Sequence, residues 1–264
     1  MRFTKEQKKE FCERGFLNIP GAVSPFMVNR ARKAIHHSLG EEGMNKDNMD
    51  RYRGRSYCPE IQGSPEITDL FNGTPLKSLA ESALEPDSLM PVKSGQIALR
   101  FPTYADSPPE PSGHIDGADY NKRHAEDKVP DIGHINPFTM FAVILLDDVP
   151  EPNSGNFTVW PGSHHILESY FREHGTDEVA KPGNISNIID ELDWPEPHQT
   201  TGLTGDAFLT HYQVAHGVAP NVSPNIRYAA IFRLRHRDLE QNRDIIFGNI
   251  WLGWEGMKEV IEKS

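Results

Sequence analysis

Gln96-Ile97-Ala98-Leu99-Arg100-Phe101 is the stretch at which the sequence changes its period. Ile97, Leu99 and Phe101 alternate with Gln96, Ala98 and Arg100, the two-residue repeat of a strand that turns one face to a core. Further on, Phe138 to Leu146 is apolar almost throughout and has the length of a strand buried on both faces. Phe157 to Trp160, Ala207 to His211 and Tyr228 to Arg235 are further strand candidates, separated by turns of Gly, Pro, Asn and Asp. Upstream the period is helical. Thr4 and Gln7 fit a capping box that starts a helix at Lys5; Gly15 ends it, ahead of a short strand at Phe16-Leu17-Asn18-Ile19. Ser24-Pro25 opens a second helix, on which Val28, Ala31, Ile35 and Leu39 share a face and which Gly40 closes. Thr74-Pro75 repeats the signal before Leu76, Leu79, Ala80, Ala83 and Leu84. Helices first and short strands after predict an α+β chain, mainly β, around a sandwich or barrel.

The 264 residues suit one domain, mainly helical over 1–91, with a β core over 92–236 and a C-terminal extension over 237–264. Residues 41–63 are polar and read as a mobile loop. Phe101 to Gly113, with four prolines, and Asp119 to Pro137, long and charged, read as loops over a site. The net charge of −11 gives no sustained basic footprint, so nucleic acid is not an expected partner. One basic cluster, Arg51, Arg53 and Arg55, could meet an anionic substrate, although a solvated surface is the plainer reading. Two cysteines, Cys12 and Cys58, make neither a disulfide framework nor a Cys-rich zinc site. The charged start of the chain has no signal-peptide core, and no apolar run reaches membrane-spanning length. A soluble, cytoplasmic protein is expected.

The chemistry is concentrated in Gly113-His114-Ile115-Asp116-Gly117. Two histidines and one carboxylate on one face of an octahedron are the ligand set of non-haem Fe(II) oxygenases. A His-x-Asp pair on a strand can supply two of the three, because i and i+2 point the same way. A lone match is weak: a chain this rich in His and Asp gives roughly one by chance. A second pair, His236-Arg237-Asp238, has no histidine after it, and His124-Ala125-Glu126 lies in a charged, solvated run. His114 instead follows a strand and a loop and has several histidines downstream. Of these, His216 stands out because a Pro/Asn/Ser turn separates it from Arg227 on the next strand. A hairpin of that length could place the Arg227 guanidinium one strand over and deeper in a pocket, where its fork could pair with a carboxylate such as that of 2-oxoglutarate.

With these residues in view, the sequence resembles the phytanoyl-CoA dioxygenase-like family of Fe(II)/2-oxoglutarate oxygenases. The resemblance is carried by four pieces. They are His114-x-Asp116 with Tyr120 after it, Asn153-Ser154-Gly155 running on to Pro161-Gly162-Ser163-His164, Gly205-Asp206-Ala207-Phe208 leading to His216, and His216 with Arg227 at the family's interval. It covers about residues 5–236, and the Pro-Gly-Ser-His segment is its most specific part. It implies a double-stranded β-helix (jelly roll, cupin-like) with helical additions, Fe(II) held by His114, Asp116 and His216, and 2-oxoglutarate anchored by Arg227. Gln96 and Arg100 occupy the strand where the family often contacts co-substrate or substrate; ordinary core and rim positions are the equal alternative. The implied reaction hydroxylates an unactivated C–H of a small molecule, using O₂ and releasing succinate and CO₂. A related halogenating branch has Gly or Ala at the carboxylate position, whereas Asp116 fills it here. The charge of −11 argues against a heavily anionic substrate, although local fields can override net charge. Tyr104, Tyr120, Trp160 and Tyr212 are candidate pocket aromatics, with core packing the better reading, and His164 and His165 read as structural.

Beside this reading stand a non-enzymatic interaction module, the blandest alternative, which predicts no metal uptake, and two metal-binding rivals. A jelly-roll metal binder without oxygenase activity, a sensor or an isomerase, needs the three ligands but not Arg227. A zinc hydrolase lacks its His-Glu-x-x-His segment here and leaves the Arg227 spacing unexplained.

Overall fold

A computed structural model describes residues 1–104, 108–116, 118–119, 134–135, 137–176 and 192–262. Its strands, in chain order, are β1 (Phe16–Ile19), β2 (Gln96–Arg100), β3 (Gly113–His114), β4 (Ala118–Asp119), β5 (His134–Ile135), β6 (Met140–Leu145), β7 (Phe157–Val159), β8 (His198–Gln199), β9 (Ala207–His211), β10 (His216–Val218) and β11 (Arg227–Leu234). One antiparallel sheet runs β1-β9-β6-β11-β2; a second, also antiparallel, runs β3-β10-β7-β8; β4 and β5 pair separately. This is the mixed α/β chain that the change of period predicts.

The apolar run in β6 has a clear physical reason: both faces of the central strand are covered. Met140, Ala142 and Ile144 belong to a core shared with the N-terminal helices, whereas Phe141, Val143 and Leu145 belong to a second core between the sheets. The same alternation holds along β11, where Ala230, Phe232 and Leu234 join the helix-side core. Arg227, Ala229, Ile231 and Arg233 therefore share the opposite face, towards the second sheet. On β2 the helix-side residues are Ile97 and Leu99, which leaves Gln96, Ala98 and Arg100 facing inward.

The helices that cover the outer face are α1 (Lys5–Arg14), α2 (Pro25–Glu41), α3 (Met49–Gly54), α4 (Pro65–Asn72) and α5 (Leu76–Ala83). Thr4 and Gln7 form the expected capping box, and Gly15 ends α1 in the left-handed conformation. Ser24 caps α2, which runs one residue past Gly40 and is capped at Glu42 instead. Ser64-Pro65 starts α4, a helix not anticipated from the sequence. The Thr74 hydroxyl does not cap α5; it donates to Leu70 and Phe71 carbonyls and finishes α4. Residues 41–63 are not a plain loop, since they hold α3 and two single 3₁₀ turns at Lys46–Asn48 and Pro59–Ile61. Stacking of Tyr52 on Tyr57, with ring centroids 5.7 Å apart, ties this segment to the sheet, because Tyr57 N–H also donates to Ile97 of β2. No helix among the described residues is long and apolar enough to cross a membrane.

Candidate metal centre

β3 and β10 are neighbours in the smaller sheet, and their register sets His114 directly opposite His216. The two rings lie 4.6 Å apart between centroids. Gly217 makes this closeness possible: a Cβ there would sit 2.2 Å from the Ser112 carbonyl oxygen. Asp116 follows β3 in a bend rather than within a strand, and it still turns to the same side as His114. Its Oδ1 lies 3.3 Å from Nε2 of His114 and 3.9 Å from Nε2 of His216. All three donor atoms fall within 4.8 Å of one another. Metal–ligand bonds of about 2.1 Å at right angles put donors roughly 3 Å apart, so these three donors could share one ion once they draw closer together.

The protonation states also suit a metal. Nδ1 of His216 lies 3.0 Å from the Val214 carbonyl oxygen, which can only accept; Nδ1 therefore carries the proton and Nε2 offers its lone pair. Burial, and then His114, lower the pKa of His216 to about 4, which keeps the ring neutral at pH 7. For Asp116, burial alone would push the carboxyl up. The hydrogen bond from His114 and the charges of His216 and Arg233 outweigh it and hold Asp116 far below the usual carboxylate range.

The two carboxylate oxygens of Asp116 have separate jobs. While Oδ1 faces the histidines, Oδ2 accepts from Arg233 through Nε at 2.8 Å and Nη2 at 2.5 Å. Nη1 of Arg233 donates to Gln96 Oε1 at 2.9 Å, and its guanidinium lies 5.3 Å from the Phe141 ring centroid. Arg233 is the principal residue of the site that the sequence reading missed. The available signal was its spacing, six residues after Arg227 and hence on the same strand face.

Arg227 lies within the same cavity of about 270 Å³ as His114, Asp116 and His216. It does not arrive there by a hairpin. His216 lies on β10 in the smaller sheet and Arg227 on β11 in the larger one, so the intervening turn crosses between sheets and the two residues face each other across the interior. Arg227 is 7% exposed; its Nε donates to Gly155 O at 2.7 Å and its Nη1 to Ala98 O at 3.0 Å. Burial, then Arg100, lower its pKa to about 10 against the pull of Asp147, so it stays a cation at neutral pH. Gly155, at φ +74°, is wedged between the two arginine stems. A Cβ there would meet Arg100 Cβ at 3.0 Å and Arg227 Cβ at 3.2 Å.

A family model described as phytanoyl-CoA dioxygenase (PhyH) matches residues 11–229. The chain belongs to the phytanoyl-CoA dioxygenase family. Comparison with curated proteins finds no match. Among solved structures, the chain is similar to the non-haem α-ketoglutarate-dependent carbocyclase SnoK from nogalamycin biosynthesis. That likeness has 20% identity, covers 91% of each chain and reaches a TM-score of 0.58. HygX from Streptomyces hygroscopicus, solved with nickel, 2-oxoglutarate and hygromycin B, matches at 17% identity over 89% of this chain and 88% of its own, with a TM-score of 0.56. EctD from S. alaskensis, with 2-oxoglutarate and 5-hydroxyectoine, matches at 15% identity over 89% and 76%, with a TM-score of 0.54. At these identities the likeness is one of fold.

The family's Pro-Gly-Ser-His segment serves structure here. His164 and His165 each place Nε2 on the Cys12 carbonyl oxygen, at 3.1 and 2.8 Å, and Ser163 Oγ accepts from Ala215 N, one residue before His216. Of the candidate pocket aromatics, Trp160 and Tyr212 are core residues, and the Tyr212 hydroxyl donates to Ile246 O. Tyr104 is fully exposed, and Tyr120, His124 and most of Asp119 to Pro137 lie outside the described residues. The second His-x-Asp pair does gather a third group, Glu85. Its carboxylates approach different ring nitrogens, however: Glu85 lies 3.8 Å from His236 Nε2 and Asp238 lies 3.9 Å from Nδ1, while Arg237 already pairs with Glu85.

Proposed function

We propose that this family member is an Fe(II)- and 2-oxoglutarate-dependent dioxygenase that hydroxylates an unactivated C–H of a small molecule. On this reading the chain is a single catalytic domain and its two sheets are the halves of a double-stranded β-helix, or jelly roll. His114, Asp116 and His216 would hold the iron and Arg227 the far carboxylate of 2-oxoglutarate. When bound, the iron and 2-oxoglutarate supply the oxidising power drawn from O₂, with succinate and CO₂ as by-products.

The protein's part is to bind and orient. One observation carries the reading: Asp116 turns a single oxygen to both histidines, while a buried guanidinium waits across the same cavity. With His114, Asp116 and His216 as its protein donors, an ion would still be open to the cavity, which could admit a keto acid and O₂. Arg233, by taking Oδ2, keeps Asp116 a one-oxygen ligand. Phe141 and Phe157 pack against His216, at 4.6 and 6.1 Å between ring centroids, and exclude water from that side. A metal-binding sensor or isomerase would give Arg227 no purpose, and burying a guanidinium is costly.

The test pairs binding with turnover. Anaerobic addition of Fe(II) and 2-oxoglutarate should produce a metal-to-ligand charge-transfer band, and air should then release succinate. Arg227→Ala should abolish both 2-oxoglutarate binding and succinate while metal uptake survives. Metal uptake without any 2-oxoglutarate-dependent spectrum, in wild type, would leave the sensor reading standing.

A further inference from the structure

The cavity holds more positive charge than one molecule of 2-oxoglutarate needs. Four arginines line it, namely Arg53, Arg100, Arg227 and Arg233, and Asp116 is the sole carboxylate among the described lining residues. Arg233 is already matched to Asp116, and Arg227 is the group assigned above to the co-substrate. Arg100 lies on β2 directly opposite Arg227 in register, with its stem against Gly155. Its guanidinium has no hydrogen bond or ion pair among the described residues, and neither has that of Arg53, which reaches the cavity from α3. Burial, then Arg53, lower the pKa of Arg100, and Arg100 does the same to Arg227, so the three cations feel one another. Like charges crowded at a partly buried site destabilise a fold. An added anion relieves that cost.

From this arrangement we infer that the primary substrate is an anion, whose carboxylate or phosphate group is clamped by Arg100 and Arg53 beside the co-substrate. The inference rests on the reading of Arg227 as the 2-oxoglutarate anchor. The geometry separates the two anions. Arg227 is fixed by two carbonyls and is buried, which suits a co-substrate common to every turnover. Arg53 is exposed at the mouth and Arg100 lies between them, which suits a group that enters last and leaves with the product. The substrate's reacting carbon would then lie towards His114 and Asp116, since Asp116 is held by Arg233, six residues along β11 from the Arg227–Arg100 pair.

The experiment uses the full chain loaded with Ni(II), which blocks turnover, and saturated with 2-oxoglutarate. Hexanoate, hexanamide and inorganic phosphate are titrated by calorimetry. Hexanoate or phosphate should bind about ten-fold or more tightly than the neutral amide, the effect of one charge-assisted hydrogen bond. Arg100→Gln and Arg53→Gln should each remove most of that preference while changing the Kd of 2-oxoglutarate less than about three-fold, under 1 kcal/mol. Preference for hexanoate assigns a carboxylate and preference for phosphate a phosphate. Equal binding of hexanoate and hexanamide overturns the inference, as does an Arg100→Gln variant that loses 2-oxoglutarate yet keeps the anion preference. Arg53 is exposed, so Arg53→Gln will fold and keeps the test open should Arg100→Gln not. If the Ni(II) protein binds no 2-oxoglutarate at all, the underlying reading has failed; if it binds 2-oxoglutarate normally and shows no anion preference, this inference alone has failed.

Discussion

Replacing Gly155 by alanine tests how the arginine clamp is held. The residue sits at φ +74°, where an L side chain costs about 1–2 kcal/mol, less up to about 1 kcal/mol regained by restricting the unfolded chain. The added Cβ would also lie 3.0 and 3.1 Å from Cβ and Cγ of Arg100 and 3.2 Å from Cβ of Arg227, closer than ordinary carbon contacts. Both Cβ atoms are fixed by the paired strands β2 and β11, and Arg227 is tied as well to the Gly155 and Ala98 carbonyls. Relief requires a shift of Arg227 by a few tenths of an ångström, which loosens those bonds and moves the guanidinium off its target. The net loss of stability should be about 1–2 kcal/mol, or roughly 2–8 °C in Tm for a chain of this length. 2-Oxoglutarate affinity should fall about five- to thirty-fold, since misaligning one charge-assisted hydrogen bond forfeits roughly 1–2 kcal/mol. Differential scanning calorimetry and anaerobic titration of 2-oxoglutarate measure the two effects. Gly40→Ala is the control: that glycine lies inside α2 with open space where a Cβ would be, so alanine should stabilise slightly and leave binding alone. A Gly155→Ala protein with unchanged 2-oxoglutarate affinity would refute the argument that packing against Gly155 positions Arg227.

Two other outcomes follow from the same contacts. Arg233→Leu should weaken metal binding about 10- to 100-fold, as loss of a partner behind a ligand does, and a chelator competition assay would register it; unchanged affinity would mean that Asp116 needs no help in orientation. His211 donates from Nε2 to Ile250 O and accepts at Nδ1 from Gln213 N–H, so a second proton has no acceptor to meet. Burial accordingly lowers its pKa to about 3. Because the folded-state pKa lies below the unfolded value near 6.5, this stability is complete above pH 6.5 and is lost as pH falls towards 3. Roughly 2–3 kcal/mol should disappear between pH 6.5 and 4.5, and buried His164, also lowered by desolvation, acts in the same direction. Urea melts at the two pH values check this, and equal midpoints would contradict it.

The fold was legible where burial imposes a period. β2 alternates because one face meets the helices and the other the cavity, and β6 is continuously apolar because both faces are covered. The three converging residues, His114, Asp116 and His216, were legible because the chemistry proposed for them restricts the residue types and because two of them sit two residues apart. What escaped depends on pairing between distant segments. The sequence of α3 has almost no apolar face; the helix is held by Tyr52 on Tyr57, a contact invisible before the sheet exists. Arg233 looks like an ordinary strand arginine until Asp116 is known to point its second oxygen at it. The turn after His216 reads as a hairpin because local sequence encodes a reversal of direction but not the change of sheet that β11 makes by pairing with β2 and β6.

Net charge illustrates the same divide. At −11 the chain argues against a heavily anionic substrate, and the cluster around Arg53 reads more plainly as solvated surface. Once folded, the cavity gathers four arginines against one aspartate among its described lining residues, so the local field opposes the global one. Field lines in a cleft with low-dielectric walls are focused, whereas exposed charges farther than about 10 Å away are screened at physiological salt. An acidic exterior therefore costs an approaching anion little at long range, and the last few ångströms, under Arg53 and then Arg100, decide whether it enters. Added salt should then weaken hexanoate or phosphate binding at the exposed Arg53 more than 2-oxoglutarate binding at buried Arg227, because screening acts on the charge that water can reach.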